Sequence, residues 1–455
     1  MNSAAAFNSE GRYSGFGTSA EPESRLSAEN RDLNVGKCQV SVIVPARNAE
    51  VDLPLCLRAI HASRVISPEV IVVDDASTDR TWSVAAANGA TKVLRLPRRS
   101  GPAVARNAGA VVAGGEILFF VDADVLIHPE SLQRAISHIR DGGWQAVFGS
   151  YDTSPTYPGL VSQYRNLLHH FVHQTSNMEA QTFWAGCGAV RRDVFLEFGG
   201  FSEDFPLPSV EDIELGMRLS RAGCRILLAK EIRASHTKRW TLYSTIFTDV
   251  FRRGVPWTRL LIASGPLPRD LNLSYTQRIN VALTGIAELA LLAQTPTTPR
   301  LLLTVPLMLL AVFCMDYSSS YGRWRIMRVL SVALILASLA VASSAAALPS
   351  GAAVVALFAL IGLLNHRVLR FFYRVRGVTF AACCYPLLLI YYNCCGVSFI
   401  SGWLLHVRSG GAGGYPGKGT VPAIALPHAA RSSSAFDVVS PGQNCEAKSG
   451  QGSVS

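Results

Sequence analysis

The stretch that decides the fold runs over residues 40–124, where VSVIVPA (40–46), EVIVVDD (69–75), KVLRL (92–96) and EILFFVDAD (116–124) are short apolar runs rich in Val and Ile. Three segments with helical patterning, 52–63, 78–89 and 101–113, separate them. Strands that are apolar throughout have no solvent face, so these runs belong to a parallel sheet covered by helices on both sides. The expected class is α/β.

In such a sheet, ligands bind beyond the carboxyl ends of the strands, where the strand order reverses. Asp74 and Asp75 close the second run, and Asp122 and Asp124 close the fourth. Side chains alternate with period two, so a D-x-D at a strand end points both carboxylates to one side. Two hard oxygen donors so placed suit Mg2+ or Mn2+ shared with a diphosphate, whereas capping of the next helix is the plainer reading. VIVPARN stands where a glycine-rich dinucleotide fingerprint would be needed, and there is no Walker loop, which disfavours nicotinamide and flavin dinucleotides. A second acidic pair, Glu211 and Asp212, opens the amphipathic segment EDIELGMRLSRAG (211–223). The helix dipole favours ionised carboxylates in a first turn, which suits a general base as well as it suits capping.

The chain has 455 residues, 49% hydrophobic and 16% charged, with 42 Lys+Arg against 32 Asp+Glu. Its pI is near 9.2 and its mean hydropathy +0.25. Such values predict more than one domain and a membrane part. Residues 1–240 hold 25 basic and 26 acidic residues, while 281–410 hold nine Arg, no Lys and only Glu288 and Asp316 as acids. A nucleic-acid-binding protein would carry its basic excess on the soluble part, so nucleic acid is not an expected partner. The ten Cys are scattered, with two adjacent pairs inside an apolar stretch, and predict neither a zinc site nor a disulfide framework.

Farther along, the nearly uncharged runs 329–348 and 351–364 flank a Pro-Ser-Gly turn and predict a helical hairpin. With 301–315, 379–405 and the weaker 280–293, they predict four or five membrane spans over 280–405. Arg323, Arg325 and Arg328 precede the hairpin, and Arg367, Arg370, Arg374 and Arg376 follow it. The positive-inside rule places those loops in the cytoplasm, and the soluble domain with them if residues 280–315 make two spans. Residues 241–279 are expected to be juxtamembrane, and NHRVLRFFYRVRG (365–377) reads as an interfacial helix. Residues 1–38 and 406–455 read as a disordered lead, without a secretory signal, and a disordered tail.

VSVIVPARN, VIVVDDASTDRT, GPAVARNAGA, ILFFVDAD, GCGAVRRDVFLEFGGF and EDIELGMRLSRAG, in this order over 39–240, resemble the inverting family 2 glycosyltransferases. The resemblance implies a nucleotide-diphospho-sugar transferase (GT-A) fold followed by an all-α transmembrane region. It also implies transfer of one sugar, by default from a UDP-sugar, in a bacterial inner membrane. Carried over by position, Pro45 and Ala46 border the base pocket, Asp75 contacts uracil or ribose with Asp74 beside it, and Arg106 lies near the nucleotide. Asp122 approaches the ribose or the metal, Asp124 is the main metal ligand, and His236 is a third metal or diphosphate contact. Asp212 is the base, helped by Glu211, and Gly186, Cys187 and Gly188 line the acceptor side.

The acceptor is expected to be a lipid or a lipid-linked molecule. Processive polysaccharide synthases of the same family carry Q-x-x-R-W after the acidic pair, whereas here HTKRW (236–240) has His for Gln and FRRGVPW (251–257) breaks the order. Single transfer is therefore favoured over processive synthesis. A transporter or scaffold with an inactive transferase domain is the alternative from another class, and the intact acidic pairs argue against it.

Overall fold

The computed structural model describes residues 40–65, 67–264, 275–293, 333–334, 349–409 and 437–439. The four apolar runs form β1 (Val40–Ala46), β2 (Glu69–Asp74), β3 (Lys92–Arg95) and β4 (Ile117–Val121). The segments between them fold as α1 (Leu53–His61), α2 (Thr81–Ala87) and α3 (Pro102–Val112). β1 pairs in parallel with β2 on one side and β4 on the other, and β2 pairs in parallel with β3. The chain thus moves outward from β1 to β3 and returns to β1's other side with β4, which makes the gap between β1 and β4 the switch point.

Beyond β4 come β5 (Val125–Ile127), α4 (Ser131–Arg140), β6 (Ala146–Tyr151), α5 (Leu160–Thr175) and β7 (Glu179–Ala180). They are followed by β8 (Cys187–Arg191), α6 (Arg192–Glu197), α7 (Glu211–Arg221) and β9 (Ile226–His236). β8 lies antiparallel between β4 and β6, and β6 pairs in parallel with β9. The sheet is therefore mixed. β10 (Asp437–Val439) adds antiparallel to the outer edge of β3, so part of the expected disordered tail is a strand.

Alternation along the strands gives the sheet two apolar faces. Val42, Val44, Val70, Val72 and Phe119 pack with Leu53, Leu57 and Ile60 of α1 on one face. Ile43, Ile71, Val73, Leu118 and Phe120 pack with α3 and with Phe195 and Phe201 on the other. Gly109 lets α3 sit close on the sheet, because a Cβ there would collide with Ile43.

After β9 the chain forms α8 (Leu242–Phe247), a π-helical turn (Thr248–Gly254), α9 (Val255–Ser264) and α10 (Tyr275–Ala293). The sequence placed a domain boundary at 240, but Leu260 of α9 is buried with Phe205, Val210 and Met217, and residues 38–455 group as one unit. The last helices are α11 (Pro349–Leu364), α12 (His366–Arg376) and α13 (Val378–Arg408). α13 is long and apolar enough to cross a membrane, and α11 and α12 form a pair bent by 67°. α13 also runs three residues past the expected tail boundary. The expected spans at 301–315 and nearly all of 329–348, and the lead 1–38, lie outside the described residues.

α12 folds as the amphipathic helix its sequence predicts, but its apolar face meets protein. Val368 and Phe372 are buried with Leu160, Tyr164 and Leu167 of α5 and with Cys384, Leu388 and Tyr392 of α13. Each fully buried Leu or Phe there stabilises by about 1.5–3 kcal/mol. Arg376 fastens the end of α12 by donating to Gln163 Oε1 and to the Thr153 carbonyl at 2.8 Å.

Candidate active site

The two acidic pairs meet through one arginine. Arg106, near the middle of α3, donates from Nη2 to Asp122 Oδ1 at 2.7 Å and from Nη1 to Glu211 Oε1 at 2.9 Å. Its side chain is only 5% exposed, and its guanidinium lies over the Phe201 ring, 5.5 Å from the centroid. Burial works against the charge, but Asp122, Glu211 and Asp212 hold the guanidinium above its usual range. Arg106 therefore ties the end of β4 to the start of α7 from below. The resemblance placed it near the nucleotide, and its two forks are already occupied by carboxylates.

Asp212 is the second residue of α7. Its Oδ1 accepts from the Ile213 N–H at 2.8 Å and its Oδ2 from the Ala185 N–H at 3.1 Å. The helix dipole predicted an easily ionised carboxylate, but burial first and Glu211 second outweigh it, and the carboxyl is raised to about 6. Glu211 is buried, and its Oε2 accepts from the Ser209 N–H at 2.9 Å.

Asp122 and Asp124 follow β4, with side chains 36% and 28% exposed. Burial and Asp124 raise the Asp122 carboxyl against the pull of Arg106. Burial also pushes Asp124 up, but His236 and Lys238 overcome it and hold the group below the usual range. His236 Nε2 lies 3.5 Å from Asp124 Oδ2, and its ring stacks on Tyr151 at 4.7 Å. Among the described residues, no group of three or more His, Cys, Asp or Glu side chains is placed to hold a metal ion. Asp122, Asp124 and His236 thus do not make a closed three-ligand cage. Two partly exposed carboxylates fit a different kind of site, in which Mg2+ or Mn2+ takes one or two protein oxygens and completes its shell with substrate phosphates and water.

At the end of β2 the acids face inward. Asp74 is fully buried, accepts from the Ser77 N–H at 2.9 Å and pairs with Arg95 at 3.3 Å. Asp75 accepts from the Ser100 and Gly101 N–H groups at 2.6 and 3.0 Å, which holds the loop entering α3. Its own N–H donates to the Ala46 carbonyl at 2.8 Å, while Pro45 is half-buried beside it at the end of β1.

On the other wall, the Asp122 N–H donates to the Gly186 carbonyl at 3.4 Å. A side chain at Gly186 would collide with the Trp184 indole, and one at Gly188 with Phe183 and the Trp184 carbonyl. Burial, with Asp122 second, pushes the Cys187 thiol up to about 12, so it is no nucleophile.

Sequence reasoning missed the aromatic wall beside the carboxylates: Tyr151, His169 and Trp184, with ring centroids 4.5–4.9 Å apart. These residues come from β6, α5 and the loop before β8, and no local pattern joins them. The one available signal was the bulky Phe183 and Trp184 next to a run of small residues.

Residues 41–199 match the model of the family described as Glycosyl transferase family 2, and this segment is a domain of that family. The α/β sheet agrees with the GT-A expectation. Glycosyltransferase AglE of Haloferax volcanii is 28% identical over 44% of this chain and 67% of its own length. A dolichol-phosphate mannosyltransferase of Pyrococcus furiosus is 32% identical over 28% of this chain and 38% of its own. An uncharacterized glycosyltransferase of Haemophilus influenzae is 26% identical over 40% and 61%. The chain thus spans between about two fifths and two thirds of the length of these curated relatives. Among solved structures, a mannosyltransferase from Pyrobaculum calidifontis in complex with GDP-Man and Mn2+ is 19% identical over 78% of this chain and 87% of that one, with a TM-score of 0.40.

Proposed function

We propose that the chain is a membrane-associated inverting glycosyltransferase that moves one sugar from a nucleotide-diphospho-sugar, by default a UDP-sugar, to a lipid or lipid-linked acceptor. The observation that carries this reading is the Asp122–Arg106–Glu211 bridge, which brings the D-x-D of β4 and the acidic start of α7 to one place. The family 2 domain and the names of the relatives support it.

In this reading Asp212 is the general base. A carboxyl raised to about 6 is ionised at neutral pH and still basic enough to accept a proton in the transition state. It takes the proton of the acceptor hydroxyl as that oxygen bonds to the anomeric carbon. The bond from that carbon to the diphosphate breaks on the opposite face, and the nucleoside diphosphate leaves with the electron pair. One displacement inverts the centre. Arg106 holds Asp122 and Glu211 in register throughout, and Glu211 keeps Asp212 from becoming too weak a base. Asp124 and Asp122, with His236 alongside, would hold a Mg2+ or Mn2+ that offsets charge on the leaving diphosphate. Pro45, Ala46 and the Asp75-bound loop would border the base, while Gly186, Cys187 and Gly188 would leave room for the acceptor.

Two measurements test the reading. Membranes carrying the chain, incubated with a panel of labelled UDP-, GDP- and dTDP-sugars and extracted for lipid, should label one lipid band from one donor. No label from any donor would remove the lipid acceptor. The pH profile tests the base: the ionised form is active, so kcat/KM should rise about tenfold per pH unit below about pH 6 and level off above it. A profile flat down to pH 4.5 would contradict the role of Asp212.

A further inference from the structure

We propose that the outward face of α12 docks on an anionic phospholipid bilayer, with Arg367, Arg370 and Arg374 holding headgroup phosphates while the apolar face of the helix stays on the protein. This contact is separate from the proposed function: it holds the chain on a membrane whatever the sugar, the acceptor or the base.

α12 (HRVLRFFYRVR) has two unlike faces. Val368 and Phe372, four residues apart, are buried, and Phe371 stacks on His170 of α5 with ring centroids 5.6 Å apart. The apolar face is therefore spent on protein and is not free to enter lipid. On the opposite side, Arg367, Arg370 and Arg374 follow at spacings of three and four, which puts them on one stripe, and all three are exposed. The helix contains no acidic residue, and these three arginines make no hydrogen bond or ion pair with any described residue. Arg376 at the end of the same helix differs, being taken up by Gln163 and the Thr153 carbonyl. Like charges stacked at such spacings repel, so the stripe is complementary to an anionic surface.

The neighbouring chain says which surface. α11 carries no charged residue, exposes Leu360 and Leu363 near its end, and bends by 67° into α12. An apolar helix that ends in a basic helix lying nearly crosswise matches the boundary between hydrocarbon and headgroups. Tyr373, 56% exposed among the arginines, is a residue type favoured at that level. The charge is all guanidinium, whose planar fork pairs with two phosphate oxygens at once. A soluble polyanion would complement the stripe, but it would leave the apolar corner at Leu360 and Leu363 in water. Docking here also bears on the site, because the helix that α12 packs on holds the end of β6: His170 Nδ1 donates to the Tyr151 carbonyl and Asn166 Nδ2 to the Asp152 carbonyl, both at 2.7 Å.

The test places the full chain in nanodiscs of phosphatidylcholine alone, or with about one third phosphatidylglycerol. Hydroxyl-radical oxidation of Tyr373 is read by mass spectrometry, with the exposed Met178 of the catalytic domain as the reference. Each basic residue near an anionic surface is worth about fivefold in binding, about a hundredfold for three, so oxidation of Tyr373 should fall about threefold or more in the anionic discs. Arg367→Gln, Arg370→Gln and Arg374→Gln made together should abolish that fall, and the three Arg→Lys changes should keep most of it. The buried face is untouched, so both variants should melt with the wild type. Equal oxidation of Tyr373 in the two kinds of disc, or a fall that survives in the Gln variant, overturns the proposal and leaves the transferase reading standing.

Discussion

Asp212→Asn should bind a nucleoside diphosphate as the wild-type chain does and turn over about 10²–10⁴-fold more slowly, the usual worth of a positioned general base. The substitution conserves shape. The Asn carbonyl oxygen still accepts from the Ala185 N–H, which now meets the Oδ2 carboxylate oxygen at 3.1 Å. What is lost is the basic lone pair, together with the acceptor that Oδ1 offers the Ile213 N–H at 2.8 Å. Removing a half-buried negative charge beside Glu211 relieves repulsion and offsets the lost Ile213 hydrogen bond, so the variant should unfold within about 1 kcal/mol of the wild type. Calorimetry with UDP and single-turnover assays separate binding from chemistry. Turnover within a few-fold of wild type would remove Asp212 as the base and leave Glu211 to be tested next.

Arg106→Met should have the largest effect on stability. It fills much of the same space but leaves Asp122 and Glu211 facing each other with no cation, and breaking a buried pair by removing one partner costs about 3–5 kcal/mol. The cation–π contact with Phe201 is lost with it, worth about 0.5–2 kcal/mol. A second substitution identifies the cause. Arg106→Met with Glu211→Gln removes one of the stranded charges, so the pair of changes should cost less than the sum of the two made singly. Neither variant should recover activity, because the bridge also sets the spacing between the D-x-D and Asp212. Unfolding curves in detergent are the readout, and a loss below about 1 kcal/mol for the single variant would show that the bridge does not operate as a desolvated pair.

The sheet was legible because its central strands are buried on both faces, which leaves apolar runs in β1, β2 and β4, a shorter Val93-Leu94 run in β3, and polar, turn-forming breaks between them. The acids were legible as residues. Their connection was not, since Arg106 and Glu211 are 105 positions apart and nothing local in GPAVARNAGA says that its arginine turns inward. The C-terminal helices mark the other limit. Hydropathy reports that a face is apolar and does not report what covers it, so 365–377 read as a helix lying on lipid, whereas Phe372 lies against Tyr164 of α5 with rings 5.9 Å apart. The same holds for α13, whose Cys384 and Leu388 are buried in that cluster.

The short strand β10 sets a parity rule. β9 ends at His236 and β10 begins at Asp437, and both belong to one sheet, which can lie on only one side of a bilayer. If helices between those two residues cross a membrane, every passage out must be matched by a return. A tag fused after residue 439 should therefore be protected from, or open to, added protease together with the carboxylates of β4.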